Sequence, residues 1–482
     1  MFGQVNPAQT RDYLDSMFDN IRSDKLYGYV AELSDSSYQG RLAGSPGMEK
    51  AANWAAGLFK EWNLKPFSEA PDYVQYYPHP CVEVQYGSYV NILFPIADNS
   101  KKKKKEITYI TKSYPWAECW YAGGTSGNGN ITADVVYAGY GVCAPELGYD
   151  DYAGIDVRGK IVLIEGETPN TSRNRDTLLM WYKHTLHHSK VENAVNHGAI
   201  GMLYYWVPGP NNGRDENFVY AYVTEPMVDD LFLGTGKTYK ETIETIRKTR
   251  KPASFDMGKK ANINMITTYN PDATGKNVVG FIKGSDPVLC DEYVIVSAHL
   301  DHLGMIPYHI AGANDNNSST AVLMGAAEAV AKSKTKPKRS IIFLNLDGEE
   351  AGLTGSTYYT LHPLVPKEKV KLIINLEQVG IGNTIGVTYG YDTPQIEKYF
   401  SRAMSEYVHR PFRAGSTQYI TRPRTDGAVF MKAGYPTVDT RAFGGRRGYY
   451  HSPKDDLPTI DAQTLEDVCK FVYWSAINAA DE

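Results

Sequence analysis

His299, Asp315, Glu350, Glu377 and His451 have the chemistry of metal ligands, and each lies at a position where it could meet the others. His299 ends the apolar run YVIVSAH, and Asp301 follows two residues later. On an extended backbone residues two apart share a side, so that acid can orient the imidazole. Asp315 sits in AGANDNN, just ahead of a helix that Ser318, Ser319 and Thr320 can cap. Glu349 and Glu350 are adjacent and follow directly on the buried-strand pattern SIIFLNL. Glu377 closes KLIINL, and His451 lies in RRGYYHSPKDDL, beyond Gly444 and Gly445. Two imidazoles and three carboxylates are too many for one four-coordinate zinc that keeps an open position. They suit two metals if one carboxylate bridges. Such a pair lowers the pKa of water and polarises a carbonyl, so one of the neighbouring glutamates can bind metal while the other accepts a proton. That is the chemistry of hydrolysis near neutral pH.

Taken singly, each residue has a plainer reading. An isolated Glu-Glu pair is a solvated turn, Asp315 a turn or capping aspartate, and a histidine at a strand end, His302 included, a satisfied core side chain. What favours the chemical reading is the recurrence of one arrangement, an acid or imidazole at the end of an apolar strand or in the adjoining loop. In open α/β sheets the carboxyl ends of the strands form the ligand-binding edge, so residues far apart in sequence can converge there.

The elements that must do this positioning are legible. From about residue 256 to the end, strands alternate with helices, which predicts a mixed central sheet with helices on both faces. Residues 11–26 read as a leading helix, and Ser45 to Pro66 as an N-capped amphipathic one, started by Ser45 and Pro46. Period-two segments rich in Val and Tyr occupy residues 73–110, and the run Lys101–Lys105 between two of them reads as a solvated hairpin tip. A Gly-rich link, AGGTSGNGN (residues 122–130), opens a smaller unit of short strands and helices that ends with the charged stretch at residues 240–252. The organisation expected is an N-terminal helical segment (1–26), a discontinuous main domain (27–125 and 256–482) and a mixed α/β insertion (126–255).

A chain of 482 residues exceeds what one core usually holds, and 42% hydrophobic with 22% charged residues is a globular composition. A net charge of -5 argues against nucleic acid as a partner. No apolar run approaches the ~20 residues of a membrane span, so none is expected. The five cysteines stand singly without a C-x-x-C pair. The opening MFGQVNPAQT lacks the basic and apolar regions of a signal peptide, which fits either a cytoplasmic protein or one whose leader has been replaced.

The stretches AHLDHLG, GANDN, LDGEEAGLTGS, NLEQVG and YYHSPKDDL, in this order, resemble the M28 family of dinuclear zinc peptidases. GRLAGSPGMEKAANWAAGLF and NVVGFIKGSD extend the likeness, and AGYGVCAPELGYDDYAGIDVRGKIVLIEGE resembles a protease-associated (PA) domain. The resemblance implies a zinc-exopeptidase-like phosphorylase/hydrolase fold interrupted by that insert. It implies two zinc ions, one on His299, Asp315 and Glu377, the other on Asp315, Glu350 and His451, with Asp315 as the bridge. Glu349 would be the general base, Asp301 the partner of His299, and Tyr450 a phenol that stabilises the oxyanion. Glu377 stands where the family more often has aspartate, and its extra methylene leaves open a more weakly held first metal, a one-metal enzyme or other divalent metals. The implied activity is that of an aminopeptidase on peptides. Carboxypeptidases or dipeptidases of the same family, the related single-zinc glutaminyl cyclases, and receptor-like binding proteins of the same plan are the alternatives. Arg446 and Arg447 can form a fork for a substrate carboxylate or a solvated loop. The family leans towards a periplasmic or secreted location.

Overall fold

The computed structural model describes residues 7–96, 107–210, 213–390, 392–417, 423–445 and 449–482. The chain divides into two compact units. The first comprises Met1–Cys81, Pro271–Gly304 and His309–Glu482, and the second Val82–Asn270 with Met305–Tyr308.

The first unit is built on an eight-stranded mixed sheet: β1 (Val74–Pro78), β2 (Thr274–Ile282), β3 (Tyr293–His299), β4 (Ser340–Leu346), β5 (Val370–Leu376), β6 (Gly382–Gly390), β7 (Phe412–Thr417) and β8 (Thr437–Gly444). Its spatial order is β1-β2-β4-β3-β5-β8-β6-β7. The four central strands β4, β3, β5 and β8 run parallel. Register fixes their ends together, because His299 pairs with Leu346, Ala298 with Leu376, and Leu376 with Thr440. The apolar runs of the sequence are apolar because both sheet faces are covered. Along β3, Val294, Val296 and Ala298 enter one core and Ile295 the opposite one.

On the larger core pack α1 (Pro7–Asn20), α2 (Ser23–Ser34), α3 (Pro46–Glu61), α4 (Ser318–Lys332), α6 (Glu397–Glu406) and α8 (Ala462–Asp481), and on the other face α5 (Thr354–Leu361) and α7 (Asp426–Lys432). The expected single helix over residues 11–26 is two helices. Arg22 adopts an extended conformation between them, and the amide of Ser23 is capped by the Glu466 carboxylate of α8 at 2.7 Å. A cap supplied from 443 residues away leaves no local signal. Helix α3 starts as its sequence prescribes: Ser45 Oγ accepts from the Met48 amide and Pro46 occupies the first turn. Helix α4, rich in Ala, is buried almost throughout, and a Cβ on its one glycine, Gly325, would meet Leu26 at 2.5 Å.

The second unit has its own eight-stranded sheet, in the spatial order Thr108–Ser113, Tyr89–Ile96, Phe255–Met265, Gly129–Tyr137, Ile161–Glu165, Gly201–Tyr205, Val219–Val223 and Trp120–Ala122. Phe255–Met265 pairs with both Tyr89–Ile96 and Gly129–Tyr137. That shared strand makes the compact unit wider than the stretch 126–255 expected for the insert. The lysine run at 101–105 lies outside the described residues.

Candidate metal centre

Parallel alignment of β4, β3, β5 and β8 delivers four chain exits to one sheet edge, and the candidate ligands sit in or beside those exits. His299, the last residue of β3, is fully buried. Its Nδ1 lies 3.1 Å from the backbone carbonyl of Asp301. A carbonyl only accepts, so this nitrogen carries the hydrogen and the lone pair sits on Nε2. That Nε2 faces Asp315 Oδ1 at 3.3 Å and Glu377 Oε1 at 3.6 Å.

Asp315 lies between two groups of donors, because its second oxygen, Oδ2, is 3.4 Å from His451 Nε2. The turn that carries it is anchored by Asp455, whose side-chain oxygens accept the amides of Asn314 and Asp315 at 2.9 and 3.0 Å. Asn316 then ties this turn to the end of β5, donating to Leu376 O at 3.0 Å and accepting the Gln378 amide at 2.9 Å. Gly312 opens the turn at φ +60°, and a Cβ there would meet Asp315 O at 2.3 Å and the His302 ring at 2.5 Å. Only glycine fits so close an approach.

Glu350 faces His451 Nε2 at 2.9 Å and His302 Nδ1, also at 2.9 Å. The Asp301 carboxylate faces His299 and also serves the next element. Its oxygens accept the amides of Glu349 and Glu350 at 3.1 and 3.2 Å, whereas its shortest approach to His299 Nδ1 is 3.6 Å. Asp301 thereby fixes the backbone that bears the paired glutamates. The Glu349 carboxylate forms no hydrogen bond among the described residues. Tyr450 is about half exposed (48%), and its ring stacks on His451 with centroids 3.7 Å apart. Arg446 and Arg447 lie outside the described residues.

The electrostatics follow from burying this many acids together. Burial opposes ionisation of Glu350, but His451 and His302 outweigh it and hold the carboxyl at about 2. Asp315 is likewise held well below its usual range, since His299 and His451 overcome its burial. Against the same desolvation, Glu377, Asp301 and Asp315 raise His299 well above an ordinary histidine. Glu349 goes the other way: burial, reinforced by Glu377, Glu350 and Asp426, pushes its carboxyl well above the usual range.

The donor set fits metal ions. His299 Nε2, His302 Nε2, Asp315 Oδ2 and Glu377 Oε2 are all buried without a hydrogen-bond partner. Buried polar atoms are normally satisfied, and orphans in one acid-rich cluster are explained by a cation that takes their lone pairs. Two groups have donor atoms within 4.8 Å of one another: His302, Asp315, Glu350 and His451, and His299, Glu349 and Glu377.

Against this geometry the comparisons are decisive at the level of family. The model of peptidase family M28 matches residues 277–474, and the PA-domain model matches residues 131–228. Residues 277–474 belong to peptidase family M28. This M28 unit carries the candidate centre, and the PA match lies wholly within the second unit.

The chain is 26% identical over 216 residues to a vacuolar membrane protease of Lodderomyces elongisporus, an alignment that takes in 41% of this chain and 22% of that protein. It is 27% identical over 264 residues to leupeptin-inactivating enzyme 1 of Streptomyces exfoliatus, covering 49% of this chain and 55% of that one. Among solved structures, the zinc aminopeptidase BSAP of Bacillus subtilis superposes with a TM-score of 0.63 at 18% identity, over 96% of both chains. At that identity the likeness shows the fold.

One expectation is corrected by these relatives. The sequence alone predicts no membrane span, and no helix among the described residues is long and apolar enough to cross a membrane. The relatives matched include membrane proteases of which the chain spans under a quarter. The expectation that the protein has no membrane span is therefore withdrawn.

Sequence reasoning passed over three residues here. His302 reads as a core histidine, yet its ring faces Glu350. Arg41 is wholly buried and donates to the carbonyls of Leu300, Leu33 and Ala311 at 2.7–2.9 Å. Burial brings its pKa down to about 10 against the pull of Asp301, Asp455, Asp315 and Glu350. Asp455 is the third. None carries a local signal, since each is defined by partners distant in sequence.

Proposed function

We propose that the chain is a zinc-dependent aminopeptidase acting on peptides with a free N-terminus. The observation that carries this reading is the pairing of a buried acid and imidazole cluster that contains orphaned donor atoms with a neighbouring glutamate whose carboxylate makes no hydrogen bond among the described residues. His299, Asp315 and Glu377 would hold one zinc, and Asp315, Glu350 and His451 the other, with Asp315 turning one oxygen to each side. Bound zinc would supply Lewis acidity toward the scissile carbonyl and make water a nucleophile at neutral pH. Glu349 accepts the proton of the attacking water and passes it to the leaving amine. Tyr450, stacked on His451, offers its hydroxyl to the negative charge that develops on the carbonyl oxygen. Asp301 holds the Glu349–Glu350 backbone in place while this occurs. An extracytoplasmic setting is part of the proposal, supported by relatives described as vacuolar.

Arg441 favours a second reading. Its guanidinium, 30% exposed on β8, reaches Glu377 Oε1 only at 4.0 Å and makes no hydrogen bond among the described residues. A cation so placed can clasp a substrate carboxylate, which would make the enzyme a dipeptidase or carboxypeptidase.

The test is mass spectrometry of a defined mixture of N-terminally free and N-acetylated peptides incubated with zinc-loaded protein. Stepwise N-terminal loss confined to the free peptides is expected. C-terminal trimming, abolished in Arg441→Leu, would replace the leading reading with the second. Untouched peptides under both metal-loaded and metal-exchanged conditions would overturn both.

A further inference from the structure

A second constellation of metal-binding types lies in the second unit, and the M28 reading makes no use of it. Cys143 and Asp150 face each other across a short antiparallel pair, Cys143–Ala144 against Tyr149–Asp150, in which they are direct partners. His197 follows the helix His187–Asn196 and brings its ring to the same place. A sulfur of Cys143, a carboxylate oxygen of Asp150 and a ring nitrogen of His197 lie within 4.8 Å of one another. Two ligands of a tetrahedral zinc are separated by about 3.5 Å, so only small side-chain rotations divide this arrangement from a coordinating one.

Two of the three donors, His197 and Asp150, are positioned by neighbours. His197 Nδ1 lies 2.7 Å from the carbonyl of Asn193, which can only accept, so the hydrogen is on Nδ1 and the lone pair on Nε2. This is the support that metal-ligating histidines commonly have. The Tyr152 ring stacks flat on the imidazole, with centroids 4.2 Å apart and an interplanar angle of 11°, which fixes its plane. Asp150 Oδ1 accepts the Tyr152 amide at 2.9 Å, and the carboxylate is also the hydrogen-bond partner of the Cys143 thiol. Cys143 is a free thiol. The Tyr152 hydroxyl is an independent sign that a polar partner belongs here. Tyr152 is 4% exposed, its oxygen is buried without a hydrogen-bond partner, and Cys143 and Asp150 are among the ionisable groups that act on it.

We propose that Cys143, Asp150 and His197 form a metal site in the second unit, taking one zinc-like divalent cation with its fourth position open to water. A thiolate, an imidazole and a carboxylate together select borderline-soft cations over magnesium or calcium. Binding would release the thiol proton to solvent and would tie the end of the helix to the short strand pair.

The experiment is a cobalt(II) titration of the metal-stripped full chain, read by the thiolate-to-cobalt charge-transfer absorption. The candidate centre of the M28 unit offers only nitrogen and oxygen donors, so this absorption is independent of that centre, whether or not the peptidase reading stands. The wild type is expected to develop it with one equivalent of cobalt beyond any bound by nitrogen and oxygen ligands. Cys143→Ser should abolish it, His197→Gln should weaken cobalt binding at least tenfold, and Cys290→Ser should leave it unchanged. Circular dichroism checks the fold, and if Cys143→Ser does not fold the His197→Gln result decides. The proposal is overturned if saturating cobalt gives no such band in the wild type, if the band survives both Cys143→Ser and His197→Gln, or if it is lost in Cys290→Ser.

Discussion

Replacing Asp301 tests how the paired glutamates are held. Its carboxylate accepts the amides of Glu349 and Glu350. In Asp301→Ala both amides lose their partner, and a buried unsatisfied donor costs about 1–3 kcal/mol. Glu349 is only partly buried, so the lower half of the summed range applies, roughly 2–4 kcal/mol. Asp301→Asn keeps one accepting oxygen and should lose about half of that. Because the chain has two units, a single unfolding free energy is ill-defined, and the better readout is local. Hydrogen exchange of the segment 345–356, followed by mass spectrometry, should show protection reduced by about 30-fold or more in Asp301→Ala and by some 5- to 30-fold in Asp301→Asn, since 1.4 kcal/mol is a factor of ten. Zinc affinity, measured by competition with a chelator, should fall about 10- to 100-fold in Asp301→Ala, the usual cost of losing an outer-shell partner. Unchanged protection of 345–356 together with unchanged zinc affinity in Asp301→Ala would refute the role given to this carboxylate.

Glu349→Gln should bind zinc as the wild type does and lose about 10²- to 10⁴-fold in kcat, and retention of wild-type turnover would remove Glu349 from the mechanism. Arg41→Met strands three buried carbonyls and removes a countercharge from the acid-rich centre, so the M28 unit should be destabilised by about 3–5 kcal/mol, checked by urea denaturation followed through exchange of β3 and β5. Stripping metal should lower the melting temperature, and zinc should restore it in proportion to RT ln(1 + [Zn]/Kd), about 2.7 kcal/mol at a hundredfold excess over Kd. In the second unit, burial lifts the Asp151 carboxyl to about 7 against the hydrogen bonds from Tyr149, Val142 and Tyr140. The folded state then holds a proton that the unfolded chain releases near pH 4, so this contribution is full below pH 4 and is lost as pH rises toward 7. Asp151→Asn should flatten that decline in thermal melts recorded across the window.

The sequence by itself determined the strands and their chemistry. YVIVSAH, SIIFLNL and KLIINL are apolar because parallel strands are covered on both faces, and a charged or ligating residue at the end of such a run has to emerge at the sheet edge. Ser45 and Pro46 likewise announce α3 through contacts only three residues long. Tertiary structure alone decided what depends on partners distant in the chain. His302 turns to Glu350, Arg41 gathers carbonyls from three segments, Asp455 anchors the turn of Asp315, and Glu466 caps α2 so that one expected helix becomes two. It also decided that the Asp301 carboxylate, besides facing His299, accepts both glutamate amides. Local propensity and periodicity are properties of neighbours in sequence, and a hydrogen bond across hundreds of residues leaves no periodicity to read.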